Sequence, residues 1–262
     1  IAPPDMMRAN EVMHPFTGIQ ITDKGIDLLC QYVAEVRKEI GYEVPLAVDH
    51  FGHIGVESCI RLGKALDQFS LAWYEDMIPW QFADQWRRLA ESVDTPVCTG
   101  EDIYLLEGFK PLIDNEAVSI IHPDLATSGG ILETKKIGDY AQEKGIPMAL
   151  HQAGSPIVAM ANVHCAAATE GFIALEMHSV DNPWWDDLVN FETEKIINNG
   201  FVKVPESPGL GITLNDDAVE KHLNVKPGGW AGQGEAMDIY PKGAFEPTDE
   251  WDKLDSHDRT WS

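Results

Sequence analysis

The chain has 262 residues, 44% of them apolar, enough to bury the core of one large domain or two smaller ones. Its 43 acidic residues against 19 basic ones give a formal charge of −24, which argues against nucleic acid and anionic membranes as partners. An anionic substrate stays open, because a bound divalent ion reverses the local field.

The segment beginning at Ile1 is Pro-rich and irregular, and reads as a fragment, a processed product or a sequence whose upstream half is missing. Regular structure begins at Asp23, where Ile26, Leu29, Val33 and Val36 follow at helical spacing up to Gly41. Val44 to Val48 is a buried-strand run ending at Asp49, and a helix follows through Ile60, Leu62 and Leu66. Leu71 to Tyr74 ends at Glu75, and a helix around Trp86 and Leu89 leads to Thr95–Thr99, which ends near Glu101. A short helix over Leu105–Ile113 precedes a strand over Val118–Ile121, ending near Asp124. Ile131–Lys144 is amphipathic; Pro147–Leu150 ends at His151. An Ala-rich helix over Ile157–Ala168 leads to Phe172–Leu175, ending at Glu176. Strands alternating with helices of this length imply a parallel sheet with right-handed crossovers. Phe201–Pro205 and Pro208–Ile212 read as an extended segment and a turn. Residues 215–262, rich in Gly, Pro, Trp and acid, read as an extended arm packed on something else.

Cys30, Cys59, Cys98 and Cys165 form no CxxC or zinc pattern, and three of them fall in predicted helices. A reduced, cytoplasmic setting is expected, since neither a signal-peptide pattern nor a membrane-length apolar run is visible.

The strand ends carry the functional signal. Asp49, Glu75, Glu101, Asp124, His151 and Glu176 follow six successive predicted strands at spacings of 26, 26, 23, 27 and 25 residues, about one β/α unit each. One ionisable residue there is usually a helix cap or a solvated loop residue. Six in register are not explained by capping, and in a (β/α)8 barrel this face supplies the catalytic groups.

Adjacent strands lie about 4.8 Å apart, so Asp49, Glu75 and Glu101 can converge on one ion. Unneutralised, such acids repel and raise one another's pKa, a conflict that a divalent cation resolves. All-oxygen ligation favours Mg²⁺, with Mn²⁺ as the alternative. On the next two strands Asp124 can hold one nitrogen of His151 and make the other a general base or acid. The pair beside a metal suits either hydrolysis by bound water or removal of a proton next to a carboxylate whose dianion the metal stabilises.

Several motifs then carry a resemblance. Val48-Asp49, Tyr74-Glu75-Asp76, Thr99-Gly100-Glu101, His122-Pro-Asp124 followed by Ser128-Gly-Gly-Ile131, His151 with Gly154-Ser-Pro156, and Pro205 through Gly211 resemble, as a set, the mandelate racemase-like branch of the enolase superfamily. The resemblance spans about residues 41–214. It implies an α/β fold, a TIM-type (β/α)7β barrel that here lacks the N-terminal capping domain and about the first two barrel strands. Residues 1–214 would supply strands three to eight and the site. It also implies that Asp49, Glu75 and Glu101 bind Mg²⁺, that His151 and Asp124 form the catalytic pair, and that a protonated Glu176 donates to the substrate carboxylate or enediolate oxygen. Two departures stand out: the Lys-x-Lys pattern usual on strand two has no counterpart upstream of Asp49, and Phe51 stands where several sugar-acid dehydratases have histidine, flanked by His50 and His53.

The expected function is Mg²⁺-dependent dehydration of an aldonic or aldaric acid to a 2-keto-3-deoxy acid. The polar residues His50, His53, Asp76, Asp102 and Gln152 at the mouth suit a polyhydroxylated substrate, and Trp184 and Trp185 either cover that mouth or pack in a core or interface. The alternatives are a racemase, epimerase or cycloisomerase of the same superfamily, and a metal-binding barrel fragment without activity. The partners expected are a small carboxylate, the missing segment from upstream sequence or another chain, and, by resemblance, further copies of the chain.

Overall fold

The computed structural model describes residues 20–49, 54–178, 182–193 and 195–222. They divide between two compact units, Ile1–Ala153 with Ala161–His178, and Gly154–Met160 with Ser179–Ser262. The boundary drawn from sequence, at 214/215, is a different one.

In the first unit, α1 (Asp23–Ile40) starts where the Thr22 side chain accepts from the Gly25 N–H. It ends at Gly41, whose φ of 70° lets the chain turn away while its N–H reaches Arg37 O. Then follow β1 (Val48–Asp49), α2 (Val56–Leu66), β2 (Tyr74–Glu75), α3 (Ala83–Ala90), β3 (Val97–Thr99) and α4 (Leu105–Asp114). Next come β4 (Ile120–Ile121), α5 (Leu125–Ser128), α6 (Gly130–Glu143), β5 (Met148–Leu150), α7 (Pro156–Ala168, shared by the two units) and β6 (Phe172–Leu175). The six strands pair in chain order, all parallel, as the alternation of elements predicts. They are shorter than the apolar runs suggest. Of the Val44–Asp49 run only Val48 and Asp49 pair, because among the described residues β1 has a neighbour on one side only.

Strand alternation sorts the side chains into two layers. Val48, Tyr74, Val97, Ile121, Met148 and Leu150 face the helices and join a core containing Leu29, Val33, Leu62, Trp86, Phe109 and Ile137. Cys98, Ile120 and Ala149 face the other way, with Trp73 and Ala174 packed against them. The residues that continue this second face past the strand ends are Glu75, His122, Asp124, His151 and Glu176. The fold therefore delivers its ionisable groups to the face that the helices do not cover.

Two polar clamps lock the helical layer. Arg37, 4% exposed, donates to four carbonyls: Phe69 at 2.9 Å, Gly41 at 3.1 Å, Val44 at 2.9 Å and Ser70 at 2.8 Å. Asp67, just past α2, accepts from the backbone N–H groups of Asp94 and Thr95 and from Tyr74 OH, each at 3.0 Å. Burial pushes the Asp67 carboxyl up, but these donors outweigh it and hold it below its ordinary 3.8. A depressed native pKa stabilises above the unfolded value and is lost as pH falls through the native one. Asp67→Asn is therefore expected to cost about 1–2 kcal/mol at neutral pH. Urea titrations of parent and variant should converge as pH drops below 3.8.

In the second unit, β7 (Val189–Asn190) pairs antiparallel with β10 (Thr213–Leu214), and β8 (Ile197–Asn198) with β9 (Phe201–Val202). The β8–β9 turn is Asn199-Gly200, both left-handed at φ 50° and 80°, the dipeptide that a two-residue hairpin of this twist requires. Asp216–His222 forms a helix, α8, so the arm expected from residue 215 begins helical; residues 223–262 lie outside the described residues. Trp185 is 5% exposed and donates to Gly154 O at 3.1 Å, and Trp184 stacks on His222 at 4.2 Å. Both tryptophans thus pack within this unit.

Candidate active site

The strand register decides which expected residues meet. Asp49 pairs with Glu75, so neighbouring strands present these carboxylates at one level. Their oxygens, with one from Asp76, lie within 4.8 Å of one another. Asp76 holds a left-handed backbone, φ 43°, and accepts from the Thr99 hydroxyl. Glu75 pairs with Cys98, so Glu101 lies three residues beyond that level, past the end of β3, and is not among this group. Its carboxylate sits instead 3.1 Å from His151 Nε2. Even spacing in sequence placed Glu101 at a strand end but could not reveal this offset.

Asp124 and His151 form an isolated parallel bridge between the extensions of β4 and β5. The ring donates from Nδ1 to Asp124 Oδ2 at 2.7 Å. Asp124 also caps α5, its Oδ1 accepting from Ala126 N–H at 2.7 Å. That double use fixes the carboxylate, and the carboxylate fixes the imidazole. Burial pulls the His151 pKa down, but the Asp124 bond and the charges of Glu101 and Glu176 outweigh it and raise it above 6.5.

Glu176 stands among three imidazoles. Oε2 lies 3.3 Å from His122 Nε2 and 3.6 Å from His151 Nε2; Oε1 lies 2.7 Å from His178 Nε2. Burial pushes its carboxyl up, yet these rings outweigh burial and hold it below the ordinary glutamate value. Among these rings the group is an acceptor that orients imidazoles.

His122 and His178 were assigned no role from the sequence. His122 is 2% exposed, with Nε2 3.1 Å from Glu75 Oε1 as well as 3.3 Å from Glu176 Oε2. Burial opposes protonation, but the two carboxylates raise its pKa to about 10. The available signal was parity, since His122 lies two residues before Asp124 and shares its strand face. Glu75 is 6% exposed and accepts from Trp73 Nε1 at 2.7 Å; burial pushes its carboxyl up, and His122 and Trp73 bring it below normal.

Trp73, Asp49, Glu75, His122, Glu176 and His178 line a cavity of about 470 Å³, with Ala47, Ala149 and Ala174 on its floor. Of the other residues expected at the mouth, Asp76 joins the acidic group, Gln152 is fully buried and Asp102 is exposed. His50, Phe51 and His53 lie outside the described residues. The all-oxygen set of Asp49, Glu75 and Asp76 fits the ligand preference of a hard divalent cation.

Gly100 sets the close approach of β3 to β4. A Cβ there would lie 2.7 Å from His122 C and 2.8 Å from His122 N, both backbone atoms that cannot swing aside. Gly100→Ala is expected to cost about 1–3 kcal/mol by overpacking. It should also lower activity by more than about tenfold, since His122 and Glu101 flank the strain. Thermal melts and kinetics on one preparation check both.

Comparison with known proteins agrees with this geometry. Residues 6–218 match the family described as enolase C-terminal domain-like. A D-xylonate dehydratase of Haloferax volcanii is 40% identical over 199 residues, covering 76% of this chain and 48% of that protein. An arabinonate dehydratase of Saccharolobus solfataricus is 30% identical over 209 residues, covering 79% and 55%. A crystal structure of a mandelate racemase/muconate lactonizing enzyme-like protein from Rubrobacter xylanophilus superposes with a TM-score of 0.78 at 34% identity, covering 80% of this chain and 54% of that one. The chain thus spans about half the length of the relatives it matches. A parallel half-barrel with its acids and histidines on the uncovered face, together with a family match over residues 6–218, places this chain in the enolase C-terminal domain-like family.

Proposed function

We propose that this chain forms the catalytic part of a sugar-acid dehydratase that removes the α-proton of an aldonate or aldarate and releases the β-hydroxyl as water. The observation that carries the reading is the bond from His151 Nδ1 to Asp124 Oδ2 at 2.7 Å, one strand series away from the acids at Asp49 and Glu75. It leaves His151 Nε2 as the nitrogen that takes the proton. Support comes from relatives named as D-xylonate, arabinonate and D-gluconate/D-galactonate dehydratases.

Asp49 and Glu75, with Asp76 beside them, would hold Mg²⁺ or Mn²⁺, and Glu101 would complete the set by turning away from His151 Nε2; the ion would supply charge to stabilise the dianion of the substrate carboxylate. Withdrawing Glu101 from His151 Nε2 would have two effects. It uncovers the nitrogen, and it removes a charge that raises the ring's pKa, so that the ring accepts a proton as a neutral base. The ionised Glu176 holds His122 by Nε2 and turns His178 toward the cavity, where that ring can donate to substrate oxygens. The proton on His151 Nε2 then passes to the β-hydroxyl, which leaves as water, and the resulting enol tautomerises to the 2-keto-3-deoxy acid.

The test is incubation of the chain with Mg²⁺ and D-xylonate, arabinonate, gluconate and galactonate in D₂O. The expected product is a 2-keto-3-deoxy acid. Exchange of the α-proton with inversion, and no keto acid, would instead mark an isomerase. We further propose that the open sides of β1 and β6, each paired on one side among the described residues, are covered by upstream sequence or another chain. A well-folded, lone 262-residue monomer in native mass spectrometry would count against this.

A further inference from the structure

The reaction above gives His122 no proton to move, yet its position answers to something specific. Pro123 restricts the residue before it to extended backbone, so strand alternation continues past Ile121 and sends the His122 ring to the interior face. There Nε2 lies 3.1 Å from Glu75 Oε1 and 3.3 Å from Glu176 Oε2. Each partner belongs to a strand two places away: Glu75 across β3, Glu176 across β5. The crossings are open because the intervening strands present the small residues Cys98, Gly100 and Ala149 on that face, with His151 beyond the end of β5. Carboxylates only accept, so Nε2 carries the hydrogen that the two share.

We infer that His122 is a positioning residue, a cross-strand tie that holds the metal-binding carboxylate of Glu75 and the carboxylate of Glu176 at a fixed separation across the interior. The inference rests on the proposed metal role of Glu75. Glu176 Oε2 is also 3.6 Å from His151 Nε2, so the tie sets the distance between the metal-binding edge and the base. Without it, two inward carboxylates would face each other unbridged, and Trp73 Nε1 would hold one Glu75 oxygen while the other swung free of its place.

The test uses the whole chain with His122→Leu, which fills the space but donates nothing, and His122→Gln, which restores N–H donors. Mn²⁺ binding is followed by electron paramagnetic resonance. His122→Leu is expected to weaken Mn²⁺ affinity about tenfold, and His122→Gln to stay within about threefold of the parent. Parent-like affinity in His122→Leu overturns the inference, as does a His122→Gln no better than His122→Leu. A second measurement needs no metal: in ¹⁵N-histidine-labelled chain, the Nε2–H resonance lost in His122→Gln is expected to shift in both Glu75→Gln and Glu176→Gln. A resonance indifferent to either substitution overturns the tie. If the parent binds no Mn²⁺ while that resonance responds to both, the metal reading fails and the tie stands.

Discussion

Replacing His151 with asparagine is expected to lower kcat/KM for the dehydrated sugar acid by about 10²–10⁴-fold, the range for loss of a positioned proton acceptor. The far-UV spectrum should stay unchanged, because the ring packs on the uncovered face rather than in the helical core. Asp124→Asn separates orientation from capping, since its remaining oxygen can still accept from Ala126 N–H. Asp124 raises the His151 pKa, so its loss lowers that pKa. A base works in its neutral form, above its pKa. The rising limb of the pH–rate profile should therefore move to lower pH in Asp124→Asn while the plateau falls. A rising limb that stays in place in this variant would show that His151 is not the titrating base.

Arg37→Met is expected to be the most damaging change outside the site, with a loss of about 3 kcal/mol in urea unfolding. The stem of methionine fills much of the same volume, so packing loss is small and the loss of donors dominates. Four carbonyls, on Phe69, Gly41, Val44 and Ser70, would lose a charged donor at once. Arg37→Lys should recover only part, because an ammonium cannot reproduce the planar fork that reaches them. A loss below about 1 kcal/mol in Arg37→Met would mean that water reaches these carbonyls.

The reach of the sequence can be judged residue by residue. Helices and strand order were legible because apolar spacing reports burial directly, and Asp124 with His151 was legible because both end strands that pair as neighbours. Glu101 was placed at a strand end with Asp49 and Glu75, but its contact with His151 was not legible, since no local pattern encodes the offset between β2 and β3. The surroundings of Glu176 were not legible, because they depend on imidazoles contributed by His122, His151 and His178 from three separate segments. The β8–β9 hairpin went unread although Asn199-Gly200 announces it; its flanking strands are two residues each, too short for alternation to register. In the first unit the four cysteines posed no such difficulty: all are free, as the absence of paired spacing predicted, and no helix among the described residues is long and apolar enough to cross a membrane.

The two-layer sorting of strand side chains has a consequence for how such a site can change. Odd and even positions answer to separate demands, so a new reactivity can be written on one face by point substitution while the other goes on cementing sheet to helices. Inserting a single residue between Ile121 and His122 would do the opposite, exchanging the two scripts from that point on: the inserted residue would stand in place of the imidazole, and Pro123 in place of the Asp124 carboxylate.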